Sequence, residues 1–299
     1  MWEFLFKLNS KIQSYRNKNL VWEILIKIIE PCFNINPKFI VSKFLEKQSK
    51  MNNFDSTVIT ISFDCDLKED VEAYPYLLKL LDKYNIKASF ACVGKLIEMY
   101  PKEHALILEK GHEIINHTYT HPNHKVFNPN KKFNKLSFKE QKEEIMKCHE
   151  VCEKVLNYTP VGFRTPHFGG LHTENVYKIL EEMGYLYSSS TLALRTHFFG
   201  KPYKIGQIIE FPLSPSPKYP LSCLETWGIW RAPKKKYTEE EYYKLFKWLL
   251  DLAIDNKLYL NFYFDPMDVV KLKYFEGLLS LISNFKTFCY KDLISKFYE

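Results

Sequence analysis

The chain has 299 residues, 46% of them hydrophobic and 16% aromatic, so it can bury a large core, and a disordered or fibrous protein is excluded. Its formal charge of +7 is uneven: residues 1–50 carry nine Lys/Arg against four Glu, a net +5, which leaves +2 for the rest. No basic stripe or nucleic-acid module appears beyond that stretch, so nucleic acid is not an expected partner.

The N-terminal 50 residues interleave basic positions with Trp2, Phe4, Phe6, Trp22, Ile24 and Ile28. This is the pattern of amphipathic helices that either pack on a main domain or lie on an anionic membrane surface. No small-residue cleavage site follows the start, and the most apolar run, LVWEILIKII, contains Glu23 and Lys27, so neither a signal peptide nor a membrane span is expected. Seven scattered cysteines (Cys32, Cys65, Cys92, Cys148, Cys152, Cys223 and Cys289) form no disulfide framework. The expectation is a cytoplasmic protein, with peripheral contact at the inner membrane surface through residues 1–50 left open.

From residue 57 strand-like and helix-like segments alternate. TVITISF (57–63) reads as a buried strand, 72–85 as a helix, KASFACV (87–93) as a strand and 95–110 as a Pro-interrupted helix. GHEII (111–115) is the next strand. A charged loop over 125–136 precedes a helix over 137–156, opened by the Ser137/Glu140 capping box. VGFR (161–164), YLYSSS (185–190), IIEF (208–211) and LYLNFYF (258–264) are further strands. Helices are expected over 173–183 and after Thr238, and the four prolines of 212–223 make that segment a loop. This order predicts an α/β fold, a distorted (β/α) barrel of about seven strands over residues 51–299, with residues 1–50 as a basic helical extension.

Polar clusters follow three of the strands: Asp64 and Asp66, then His117 and His121, then Arg164 and His167. Parallel strands in a barrel end at one mouth, so these residues are expected to meet. His117 and His121 are four apart, a spacing that on a helical turn presents two imidazoles to one metal ion. With Asp66 they make two nitrogens and one carboxylate, a set that leaves a coordination position for water. His124 competes for the third place but is expected to face solvent or a substrate groove, because Pro122 interrupts the turn. Individually, the aspartates also suit helix caps and Arg164 a surface ion pair.

SFDCD, HTYTH and FRTPHF together resemble the first three motifs of the polysaccharide deacetylases, the NodB-homology group that is carbohydrate esterase family 4. The similarity runs in order over roughly 57–270. It implies a divalent metal, zinc foremost, on Asp66, His117 and His121, with Asp64 as general base and Arg164 orienting it. It further implies an N-acetylated saccharide as substrate, including lipid- or nucleotide-linked sugars, and removal of its acetyl group. A backbone N–H near His167 would hold the oxyanion, with Thr118 steadying the histidine loop. His167 and Phe168 would line the groove, where Trp227 and Trp230 offer aromatic faces to a sugar.

Two family positions depart from the pattern. GYLYSSS offers only serines where an aspartate is usual, and NFYFDPMD puts Asp265 where the family has the histidine that protonates the leaving amine. Asp265 serves as that acid only if burial keeps it protonated near neutrality; otherwise it binds a substrate group. Hydrolysis of another non-peptide C–N bond, or a catalytically impaired carbohydrate-binding barrel, are the alternatives. A second metal at Cys148, His149 and Cys152 carries little weight.

Overall fold

The computed structural model describes residues 2–13, 30–51 and 54–298. Nine strands form one sheet: β1 (Val58–Cys65), β2 (Ser89–Cys92), β3 (Glu113–Asn116), β4 (Gly162–Phe163), β5 (Tyr187–Ser188), β6 (Tyr203–Ile205), β7 (Ile208–Glu210), β8 (Tyr259–Phe264) and β9 (Lys286–Phe288). Their order is β6-β7-β5-β4-β3-β2-β1-β8, with β9 beside Val58–Thr60 of β1. Every pairing is parallel except β6 with β7.

Two strands exceed the expected seven. β6 was passed over because a three-residue strand has too few positions to show alternation; Gly206, at φ +58, makes the tight turn that folds it back on β7. β9 lies in the closing FKTFCY stretch. Asn261 bridges the wall between β7 and β8: its carbonyl accepts from Ser214 N (2.9 Å), and its Nδ2 donates to the carbonyls of Phe211 (3.0 Å) and Pro212 (3.2 Å). The fold is thus a distorted β/α barrel.

β1 shows how the sequence builds the site. Ile59, Ile61, Phe63 and Cys65 join Leu77, Leu81 and Phe246 in the core between sheet and helices. On the opposite face Val58 packs with Tyr259 and Tyr290, Thr60 bonds the Tyr259 hydroxyl (2.9 Å), and Ser62 and Asp64 meet Arg164. Period-two alternation therefore puts apolar residues outward and polar ones inside the barrel. β8 repeats it, with Leu260, Phe262 and Phe264 in the outer core and Asn261 and Tyr263 turned inward.

The N-terminal helices pack on the barrel. Phe6, Phe33, Ile40, Val41, Phe44 and Leu45 belong to the main core, with Phe6 in edge contact with Phe44 (5.5 Å) and Phe199 (6.0 Å). Asn9 Nδ2 donates to Leu194 O (2.6 Å), and Gln48 bonds both Phe199 O and Tyr259 N. Trp22, Ile24 and Ile28 lie outside the described residues, as do the side chains of Trp2 and Phe4. Among the described residues, no helix is long and apolar enough to cross a membrane.

Candidate metal centre and active site

Asp66, His117 and His121 come together at the C-terminal ends of β1 and β3. The Asp66 Oδ1 lies 3.3 Å from both His117 Nε2 and His121 Nε2, and the two rings are 4.9 Å apart. The expected helical turn is absent. Thr118 (φ +66), His121 (φ +51) and Asn123 (φ +84) are all left-handed, so the histidines sit on a coiled loop. That loop is tied by its own polar groups: Asn116 Oδ1 accepts from Thr118 N (2.9 Å), and Thr118 Oγ1 from His121 N (3.1 Å). Thr118 thus steadies the loop through its hydroxyl.

The donor set fits a cation. Asp66 Oδ1, His117 Nε2 and both His121 ring nitrogens are buried and have no hydrogen-bond partner, a costly arrangement unless something binds them. His117 Nδ1 faces the Arg164 carbonyl at 2.8 Å; an N–H there directs the Nε2 lone pair into the site. Burial holds His121 down to about 3, which keeps the ring neutral at neutral pH and leaves one nitrogen with a lone pair. Burial alone would raise the Asp66 carboxyl, but His121 and His117 outweigh it and hold it below the usual carboxylate range. The imidazoles are fully enclosed, whereas the Asp66 side chain is 24% exposed, so the site opens on the aspartate side. Among the described residues this is the one cluster of three such ligands; Cys148 and Cys152 are core residues, and His149 bonds the Tyr185 hydroxyl (3.0 Å).

Two residues that sequence reasoning missed or misjudged hold Asp66. The Asp70 carboxylate, at the start of the following helix, accepts from Asp66 N (3.1 Å), Leu67 N (3.0 Å) and, across the barrel mouth, Met267 N (3.0 Å). His124 does not face solvent or a groove. It is buried on Phe127, its Nδ1 accepts from Val126 N and Phe127 N, and its Nε2 therefore donates to the Asp66 carbonyl (3.0 Å). Pro122 does stop any helix, but the left-handed Asn123 turns the chain inward.

Arg164 is neither exposed nor weakly paired. Nη1 holds Asp64 Oδ1 at 2.5 Å, Nε donates to Ser189 O (2.9 Å), and Nη2 reaches Ser62 (2.8 Å), Ser189 (3.0 Å) and Tyr290 (2.9 Å) hydroxyls. The serine-only strand thus supplies part of the acceptor shell that a carboxylate would otherwise give. Asp64 Oδ2 is left facing His117 Nε2 at 3.9 Å. Burial pushes the Asp64 carboxyl above its ordinary value, against the pull of Arg164 and His117.

Asp265 stands beside Asp64, since Phe63 and Phe264 are register partners and each aspartate is the next residue. It is buried and paired with Arg231, whose Nη2 is 2.6 Å from Oδ2. Thr226 Oγ1 donates to Oδ2 (3.1 Å), and the Tyr263 hydroxyl lies 3.1 Å from both oxygens. Arg231 also binds the buried Asp268, through Nε (3.0 Å) and Nη2 (2.8 Å).

The remaining expected groove residues divide. The His167 ring lies 4.7 Å from that of His121, at the mouth, and its backbone is left-handed (φ +49). Phe168 is partly buried, edge-on to Tyr263 at 5.1 Å, with its ring centre 5.7 Å from the Arg164 guanidinium, so it covers that buried arginine. Trp227 and Trp230 bound the helix Trp227–Trp230 that carries Arg231 at its end, on the Asp265 side. Trp230 is 38% exposed, while the Trp227 ring is covered by Lys236 at 5.4 Å.

The α/β barrel thus carries at its strand ends a candidate Asp-His-His metal centre beside an arginine-clamped aspartate. Residues 51–188 match the sequence model of the polysaccharide deacetylase family, so the resemblance carried by the first three motifs is borne out over that segment. A peptidoglycan-N-acetylglucosamine deacetylase of Bacillus cereus is 29% identical over 133 residues, 44% of each chain. The curated relatives matched are covered over only 19% to 54% of their own length. Two crystal structures share the fold. A Mycobacterium smegmatis chain assigned to the polysaccharide deacetylases has 19% identity and a TM-score of 0.66, over 81% of this chain and 90% of that one. BA3943 of Bacillus anthracis, described as a pseudoenzyme of carbohydrate esterase family 4, has 17% identity and a TM-score of 0.53, over 80% and 66%.

Proposed function

We propose that this chain is a metal-dependent hydrolase that removes the acetyl group from an N-acetylated sugar of the cell-envelope glycan or of its lipid- or nucleotide-linked precursor. The observation that carries this reading is the convergence of three unpartnered ligand atoms, on Asp66, His117 and His121, beside an aspartate whose second oxygen is free. The Bacillus cereus relative's name supports the N-acetyl sugar. The cysteines, all free, accord with a cytoplasmic site of action and hence with a precursor as substrate.

A divalent ion on Asp66, His117 and His121, zinc in this reading, would supply Lewis acidity to the acetyl carbonyl and acidify a water. Asp64 then takes the water's proton on Oδ2, because Arg164 occupies Oδ1 and fixes the carboxylate plane. The backbone N–H at His167 is the donor expected to meet the developing oxyanion. Asp265, next to Asp64 across the strand pair, returns a proton to the departing nitrogen.

The test is acetate release from N-acetylglucosamine oligomers and lipid-linked N-acetylhexosamine by zinc-loaded protein, with loss on chelation and recovery on adding zinc. Asp64→Asn should cut kcat by about 10²- to 10⁴-fold while elemental analysis still finds one metal per chain. The impaired-barrel alternative has one specific observation behind it, the pairing of Asp265 with Arg231. Metal uptake and saccharide binding without acetate release from any such substrate would favour that alternative.

A further inference from the structure

Asp64 and Asp265 are neighbours at the barrel mouth, and each is clamped by its own arginine. The two clamps differ in who shares them. Arg164 serves one carboxylate and otherwise meets neutral oxygens, whereas Arg231 is divided between Asp265 and Asp268. The charged and titratable groups around Asp265 are Arg231 at the end of the helix Trp227–Trp230, Tyr263 on its own strand, Asp268 on the helix Pro266–Val269, Tyr242 on the helix Glu239–Ile254, and Asp64, Asp66 and Asp70 from the β1 side. Asp265 Oδ2 is occupied by Arg231 and by the Thr226 hydroxyl, which in turn accepts from Asp265 N (3.1 Å). Oδ1 has only a share in the Tyr263 hydroxyl.

Building on the deacetylase reading, we propose that Arg231 and Asp268 are positioning residues: Arg231 holds Asp265 by Oδ2 so that Oδ1 carries the proton for the leaving nitrogen, and Asp268 draws off part of the guanidinium's charge so that the proton is retained. In the reaction Asp265 Oδ1–H breaks as the N–H bond forms on the sugar amine, and the C–N bond of the acetamide breaks with its electron pair going to nitrogen. The carboxylate left behind is stabilised by Arg231. Burial supports the assignment, pushing Asp265 up to about 7, with Arg231 opposing and Asp268 reinforcing the shift.

The experiment compares wild type, Arg231→Met, Arg231→Lys and Asp268→Asn, all zinc-loaded. It reads kcat and KM against pH for acetate release from N-acetylchitotetraose, and the Asp265 carboxyl titration by ¹³C NMR. Arg231→Met should move both the alkaline limb and the NMR titration upward by about one to three pH units. Asp268→Asn should move both downward. Arg231→Lys should leave the limb in place while lowering kcat, because a point charge does not span two carboxylates. Should Arg231→Met fail to fold, the downward shift in Asp268→Asn against the unmoved limb of Arg231→Lys carries the test. Limbs that stay put in all variants, shift together in one direction, or ignore a moving NMR titration would overturn the proposal. If wild type releases no acetate, the deacetylase reading fails by itself, while the NMR titrations still decide whether Arg231 and Asp268 control Asp265.

Discussion

The two sides of the barrel mouth solve the same problem differently. On the β1–β3–β4 side a buried arginine holds Asp64 directly and is otherwise bonded to neutral oxygens, beside two enclosed imidazoles. On the β8 side the carboxylate of Asp265 is held by an arginine that is 26% exposed and shared with a second acid. The match to the family model spans residues 51–188, so Arg231 and Asp265 lie outside it. A base and an acid can both be aspartates when their surroundings differ in charge; the mouth is built to supply that difference.

Removing each arginine in turn is the strongest way to break the comparison. Arg164→Met strands Asp64 in the barrel interior and should cost about 3–5 kcal/mol in urea unfolding. Arg231→Met should cost less, because Asp265 can take up a proton near neutrality; equal losses would mean that the two clamps are equivalent.

Acid and alkali should separate the two sides in metal-free protein. His121 in the folded chain refuses a proton until about 3, whereas the unfolded chain accepts one near pH 6.5, so its term in stability falls as pH drops through that window. Asp265 has the opposite sign. The folded chain keeps a proton up to about 7 that the unfolded chain releases near 4, so stability falls as pH rises from 4 to 7, by an amount on the order of 3 kcal/mol. Denaturation against pH should lose the first slope in His121→Gln and the second in Asp265→Asn.

The supports of Asp66 sharpen the metal side. Asp70→Asn and His124→Ala leave every ligand in place but loosen the backbone that carries Asp66, and each should weaken zinc binding by about 10- to 100-fold in chelator competition. The smallest effect is expected at the rim: Trp230→Ala should raise KM for an oligosaccharide about two- to tenfold with kcat unchanged.

Much of this was legible from local pattern. The alternation in TVITISF, the Ser137/Glu140 box and the prolines of 212–223 act over a few residues, and the elements they specify are present in the fold. Strands β4 and β5 are shorter than their patterns suggest: Arg164 N and Ser189 N still bond Asn116 O and Phe163 O, but the Ser189 carbonyl turns to the Arg164 side chain. The histidine loop was misread as a helical turn, since spacing carries no information about the left-handed backbone that Asn116 and Thr118 hold in place.

The sequence by itself determined the inventory of the site: the residue types in SFDCD, HTYTH and FRTPHF, their order, and their place at strand ends that a parallel barrel brings to one mouth. Only the tertiary structure decided the partners. That His124 holds Asp66, that Asp70 reaches Met267, that serines and Tyr290 complete the shell of Arg164, and that Arg231 divides itself between Asp265 and Asp268 are contacts between distant segments. The physical reason is that a buried charge takes whichever groups the closed barrel sets within hydrogen-bond reach, and closure is a property of the whole chain.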